Sequence, residues 1–142
     1  MRFMIIVRAS ADSEAGVMPG PELFKAMGKF NEEMINAGIL LAADGLHRSS
    51  EGARIIRKDG KPQVIDGPFA ETKELIAGYW LIAVKDKDEA LSWATRIPGM
   101  VEGEYVDLFR VFEAADFVGI VPDEAIAKEE AFRAAHEKPI AG

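Results

Sequence analysis

Cysteine is absent from the 142 residues. Disulfides, thiolate-bound zinc, iron–sulfur clusters and a cysteine nucleophile are therefore excluded. Histidine is nearly as scarce, with only His47 and His136. They are far apart and lack H-x-x-E or H-x-x-x-H spacing, so no metal site is expected. There is no G-x-G-x-x-G and no P-loop, so no nucleotide cofactor is implied, and no cofactor is expected. Ser49-Ser50 lies near His47 but lacks a G-x-S-x-G context, which argues against a hydrolase triad. No apolar run approaches the roughly 20 residues of a membrane span. The start, Met1 to Arg8, holds five apolar residues between two arginines, too few for a secretory leader. A cytoplasmic chain without membrane contact is the expectation. Positive charge is also in deficit. Seventeen bases against 24 acids leave a net charge of −7, which repels phosphate backbones and argues against nucleic acid as a partner.

The length fits one domain, and the apolar share of 49% beside 29% charged residues is an ordinary globular balance. A core of this size needs no covalent staples.

The patterning predicts strands at 2–9, 39–46, 53–57, 62–65, 78–85 and 104–113. A loop is expected over 11–20, punctuated by Gly16, Pro19 and Gly20. Pro21 suits the first turn of a helix. Leu23, Met27, Phe30 and Met34 then share one helical face, and Gly38 ends it. Asp59-Gly60 is a hairpin turn signal. Residues 70–76 allow a helical turn. Asp86 and Glu89 form an aspartate-type capping box before the stripe Ala90, Trp93, Ala94 and Ile97. Strand–helix–strand, a hairpin, then strand–helix–strand predicts an α+β, ferredoxin-like split βαβ sandwich with both helices on one face. Residues 114–142 form an acidic, helical C-terminal extension. From Glu113 onward, seven acids and three bases carry −4 of the net charge.

The outer strands are apolar on both faces. Phe3, Ile5 and Val7 point one way, Met4 and Ile6 the other. Val106, Leu108 and Phe112 oppose Tyr105, Phe109 and Val111. Two helices cover one face, so the second face needs another layer. A second copy packed sheet on sheet supplies it, and a homodimer is expected.

Several residues are candidates for chemistry. Asp66 opens the turn Asp66-Gly67-Pro68-Phe69. Its plainer role is turn chemistry, with Gly67 permitting unusual φ. Its functional role is a carboxylate in a pocket fed by the polar cluster at 71–74. His47 follows the second strand and is a candidate base, with Asp44 or Asp66 as its partner. Asp66 and His47 are thus the candidate catalytic residues. Asp44 interrupts an apolar run; a buried carboxylate there would need a partner, and its plainer role is a strand end facing solvent. Arg8 and Arg110, on the first and last strands, are expected close together. With Asp44 they are the candidate ligand-binding residues, holding a small anion through guanidinium forks. The plainer role of Arg8 is a salt bridge to Asp107 or Glu71.

The run Asp66-Gly67-Pro68-Phe69-Ala70-Glu71-Thr72-Lys73-Glu74 resembles the DGPF-type branch of the YCII-related family. The similarity continues through Gly78-Tyr79-Trp80-Leu81-Ile82, Asp88-Glu89-Ala90-Leu91, Trp93-Ala94, Arg96, Ile97 and Pro98. It covers residues 1–113 and leaves 114–142 unaligned. The resemblance implies a ferredoxin-like fold that pairs into a dimeric α/β barrel. The wider family implies a histidine–aspartate pair with the histidine on the first helix. This chain has no histidine there, so the pair is not carried over. DGPF-type members often accompany extracytoplasmic sigma factors, which implies a sigma-factor regulatory association. Three functions follow as expectations: a small-molecule-binding or regulatory accessory homodimer, a cofactor-free acid–base enzyme, or a structural dimerisation module.

Overall fold

The computed structural model describes residues 1–142 except for the side chain of Lys73. That side chain belongs to the expected polar cluster at 71–74 and lies outside the described residues.

The chain opens with β1 (Arg2–Arg8), the one-turn helix α1 (Ala11–Glu14), α2 (Pro21–Asn36) and β2 (Leu40–Gly45). A hairpin of β3 (Ala53–Lys58) and β4 (Lys61–Asp66) follows. Then come β5 (Ile76–Ala83), α3 (Lys87–Ala94), β6 (Val106–Arg110) and α4 (Asp123–His136). The main sheet has the order β2-β5-β1-β6, and every pairing is antiparallel. This is the order of a split βαβ, ferredoxin-like sheet.

The stripe read from the sequence builds the core. Phe30 and Met34 of α2 are buried against Phe3, Ile5, Trp80 and Ile82 of the sheet, with Ala90, Ala94 and Ile97 from the α3 segment. Trp80 meets Phe30 edge-on at 5.7 Å between centroids, and its indole N–H donates to Asn31 Oδ1 at 2.7 Å. A buried indole donor therefore has a partner. Gly38 adopts φ +72°, the left-handed conformation that closes α2. Asp86 caps α3 by accepting from the Glu89 N–H at 2.9 Å. The Glu89 carboxylate accepts from the Lys85 N–H at 2.7 Å, one residue short of a reciprocal box.

Three expectations are corrected. The loop over 11–20 begins with α1, because Ser10 accepts from the Ser13 N–H and Ser13 Oγ accepts from the Ser10 N–H. Two serines supply a reciprocal cap that a pattern of apolar residues does not reveal. The last strand stops at Arg110 and starts only at Val106. Glu104 is held in a turn by Val101, and Phe112 leaves the ladder to pack on Phe117 at 5.3 Å. Finally, Arg8 and Arg110 are not neighbours. The β1–β6 register places Arg110 opposite Phe3 and runs out at Val7 opposite Val106, so the two arginines mark opposite ends of the ladder.

The helices take one face of the sheet. On the other, α4 docks over the end that carries Arg2. Arg2 is only 8% exposed. Its guanidinium reaches Glu113 at 3.1 Å and Glu137 at 3.0 Å and donates to the Phe112 carbonyl at 2.7 Å. Burial lowers the affinity of Arg2 for its proton. The hydrogen bonds and charges of Glu113 and Glu137 outweigh it and leave the pKa above the ordinary arginine value. Beyond α4 the Ile140 N–H donates to the Leu40 carbonyl at 2.8 Å, so the terminus follows the β2 edge.

Candidate functional site

The open face carries two rows of side chains across the strands. Ala42, Leu81, Met4 and Phe109 form one row, and Asp44, Tyr79, Ile6 and Asp107 form the next. The first row is apolar, with Phe109 52% exposed. The second sets polar groups on both flanks of Ile6. The Tyr79 hydroxyl donates to Asp44 Oδ2 at 2.9 Å. That hydrogen bond and the charge of Asp44 hold the Tyr79 pKa above its ordinary value.

On the opposite flank Arg8 Nε and Nη2 donate to Asp107 Oδ2 at 2.8 and 2.5 Å. Arg8 Nη1 donates to the Glu74 carbonyl at 3.2 Å. A guanidinium has five N–H donors. Three are used here, which leaves one on each of Nη1 and Nη2. Asp107 and Glu74 therefore fix the orientation of Arg8 without consuming its outer fork.

The sequence-derived candidates divide accordingly. Asp44 and Arg8 lie on this face, with Tyr79 and Ile6 between them. Arg110 stands apart, paired with Asp116 at 3.3 Å. His47 is exposed beyond the end of β2, and Asp66 is exposed at the end of β4. Among the described residues, no hydrogen bond or ion pair engages either of these side chains. Asp66 thus makes no side-chain bond to its own turn.

Gly67 closes that turn instead, and for space rather than for φ. A Cβ at Gly67 would lie 1.8 Å from the Ser49 carbonyl oxygen. The Gly67 N–H donates to the Gly52 carbonyl at 3.1 Å. Ser49 Oγ accepts from the Phe69 N–H at 3.0 Å and donates to Glu14 Oε2 at 2.5 Å. The Asp66–Phe69 turn is thereby pinned to the Ser49 turn and to α1, and Arg54 lies over the Phe69 ring at 4.2 Å.

Tyr79 and Asp107 were missed as site residues. Asp107 had a signal, since it interrupts an apolar strand as Asp44 does. Tyr79 had none, because only the register sets its hydroxyl beside Asp44. Among the described residues no cluster of three or more His, Asp or Glu side chains is placed to hold a metal ion, and no helix is long and apolar enough to cross a membrane.

The model of the YCII-related domain family matches residues 1–113. The chain belongs to the YCII-related domain family. The match stops before α4, so the open-face rows fall within the YCII-related domain while the docked helix falls outside it. An uncharacterized protein of Rhizobium meliloti (strain 1021) is 33% identical to this YCII-related chain over 72 residues. That stretch covers 51% of this chain and 58% of the relative. Among solved structures, the 5-chloro-2-hydroxyhydroquinone dehydrochlorinase of Burkholderia phenoliruptrix AC1100, in complex with 2,5-dihydroxybenzoquinone, matches with a TM-score of 0.43 and 15% identity. The alignment covers 80% of this chain and 95% of that one.

Proposed function

We propose that this protein is a small-molecule-binding homodimer. Two copies pair through the open sheet face as a dimeric α/β barrel, and each binds a small anionic molecule at the Arg8 end of that face. One observation carries the reading: charged and hydroxyl groups flank an apolar floor on a sheet face that the chain's own helices leave uncovered at that end. Sites for small ligands combine such a floor with a few convergent polar groups.

The division of labour follows from the geometry. The outer fork of Arg8 receives a carboxylate or similar anion, because two of its donors remain unused. Ile6 supports the apolar body of the ligand. Asp44 accepts from a ligand hydroxyl, and Tyr79 holds Asp44 in place. Asp107 orients Arg8. A partner sheet over Met4 and Phe109 removes apolar surface from water and gives the cleft a second wall.

The chain's own regulatory setting, including association with a sigma-factor system, stays a proposal that rests on the family resemblance alone. A catalytic use of Asp66 or His47 rests on the chemistry of the two residues and not on the family, whose histidine–aspartate pair this chain lacks.

The test is a thermal-shift screen against aromatic and hydroxylated carboxylic acids, with the uncharged amides of the same molecules beside them. A ligand that binds only the folded state raises the melting temperature by mass action. The expected result is a rise of several degrees for one acid and none for its amide, lost in Arg8→Met. A panel without any rise, or a rise that survives Arg8→Met unchanged, contradicts the site.

A further inference from the structure

The β3–β4 hairpin presents an exposed apolar pair to solvent. Ile55 and Val64 face each other across the ladder, yet they are 67% and 68% exposed. A two-stranded ribbon is marginally stable in water by itself. It is also basic. Residues 53–66 hold Arg54, Arg57, Lys58 and Lys61 against Asp59 and Asp66, a net +2. The chain total of −7 leaves −9 on everything else.

A surface of matching character lies at the other end of the molecule. Phe112, Phe117, Val121 and Ile126 line an unfilled apolar groove of about 370 Å³ between α4 and the turn before it. Val118 and Ile120 stand exposed beside it. Asp123, Glu124 and Glu130 are exposed along the same helix, and no ion pair engages them among the described residues. One surface is apolar with a basic rim. The other is apolar beside a helix that carries four acids against Lys128 and Arg133, with Glu129 and Arg133 paired at its lining.

Within one chain the two lie apart. The hairpin leaves the sheet where Gly45 pairs with Gly78, and the tail leaves it beyond the pairing of Arg110 with Phe3. Seven residues of β1 separate these ends, about 20 Å at the rise of a strand. A two-fold axis that runs between two stacked sheets and across their strands reverses the partner. It brings the hairpin end of one copy over the tail end of the other, and it does so twice.

From this we infer that the hairpin is an exchanged arm. Its Ile55–Val64 face occupies the groove under α4 of a second copy, and its lysines and arginines meet the acids of that helix. The inference rests on the proposed homodimer and adds a contact outside the family domain. It also gives the tail a role, as the receptor for the arm.

The absence of native cysteine makes a direct test possible. Val64→Cys and Ala125→Cys are prepared as separate chains, mixed, and oxidised. Both positions are exposed, and Ala125 lines the groove. The expected result is a disulfide-linked species of twice the 15.5 kDa chain, formed at least tenfold faster in the mixture than from either variant alone. High salt should slow it, since the rims are charged. Faster linkage of Val64→Cys to itself would show arm meeting arm and overturn the inference. A dimer by light scattering with no preferential cross-link would overturn it too, and leave the homodimer standing. A monomer by light scattering would remove both.

Discussion

The Tyr79 hydroxyl donates a hydrogen bond to Asp44 Oδ2 at 2.9 Å, across paired positions of β5 and β2. This pair sets a fixed acceptor beside the apolar floor of Ile6. The opposite flank of the same row is fixed by Arg8 and Asp107. Each consequence of these arrangements can be measured.

The first concerns the titration of Tyr79. The bond to Asp44 raises its pKa above the ordinary value of about 10. A tyrosine pKa raised on folding contributes stability that is complete below the unfolded value. It is lost as the pH rises through the folded value. Following tyrosinate absorbance in a Tyr105→Phe background isolates Tyr79. Ionisation should occur above pH ~10 and move back toward it in Asp44→Asn. Identical midpoints in both proteins would show that the pair does not exist in solution.

A second expectation concerns the Asp66–Phe69 turn. Gly67→Ala places a methyl 1.8 Å from a carbonyl oxygen, and backbone must move to admit it. The expected loss is about 1–3 kcal/mol, the range for overpacking, read as a fall in melting temperature. Gly28 provides the contrast, because it is exposed within α2 and nothing lies within 4 Å of its added Cβ. Gly28→Ala should stabilise by about 0.5–1 kcal/mol. If both substitutions had the same sign, the close approach at Gly67 would be refuted.

The docking of α4 depends on Arg2. Removing a charged hydrogen-bonding partner from a largely buried group costs on the order of 1–3 kcal/mol. Arg2→Met should therefore loosen the tail while the domain over 1–113 stays folded. Trypsin would cleave at Lys128 and Arg133 faster than in the native protein, and mass spectrometry would find the remaining domain intact. Glu137→Gln should show the same effect more weakly, since Glu113 still holds Arg2 at 3.1 Å. Unchanged cleavage in both variants would mean that apolar contact, not the ion pair, holds the helix.

Much of the fold was legible because local and global signals agreed. The stripe through Phe30 and Met34, the glycine at 38 and the Asp59-Gly60 turn each specify a local geometry that the packing also requires. The two-faced first strand announced a second face that α2 and α3 do not cover, and α4 takes only the end of it that carries Arg2. The failures have a common physical cause. Register is set by the whole ladder, so the distance between Arg8 and Arg110 could not be read from either strand alone. The role of Gly67 depends on a carbonyl 18 positions away, so its φ was the wrong property to inspect. Tyr79 looked like one more β-forming residue until pairing placed it opposite Asp44. Asp107 was named only as a salt-bridge partner for Arg8, and it is that partner. Its place in the polar row became visible with the second strand pairing.

The central claim is that the open face joins two copies. Size-exclusion chromatography with light scattering at micromolar concentration tests it most directly, on the native chain and on Ile6→Glu, which sets an unpaired charge in the middle of that face. The account predicts twice the 15.5 kDa chain mass for the native protein and a monomer that retains its far-ultraviolet spectrum for the variant. A native protein that elutes as a 15.5 kDa monomer, or a variant that stays dimeric, would contradict it.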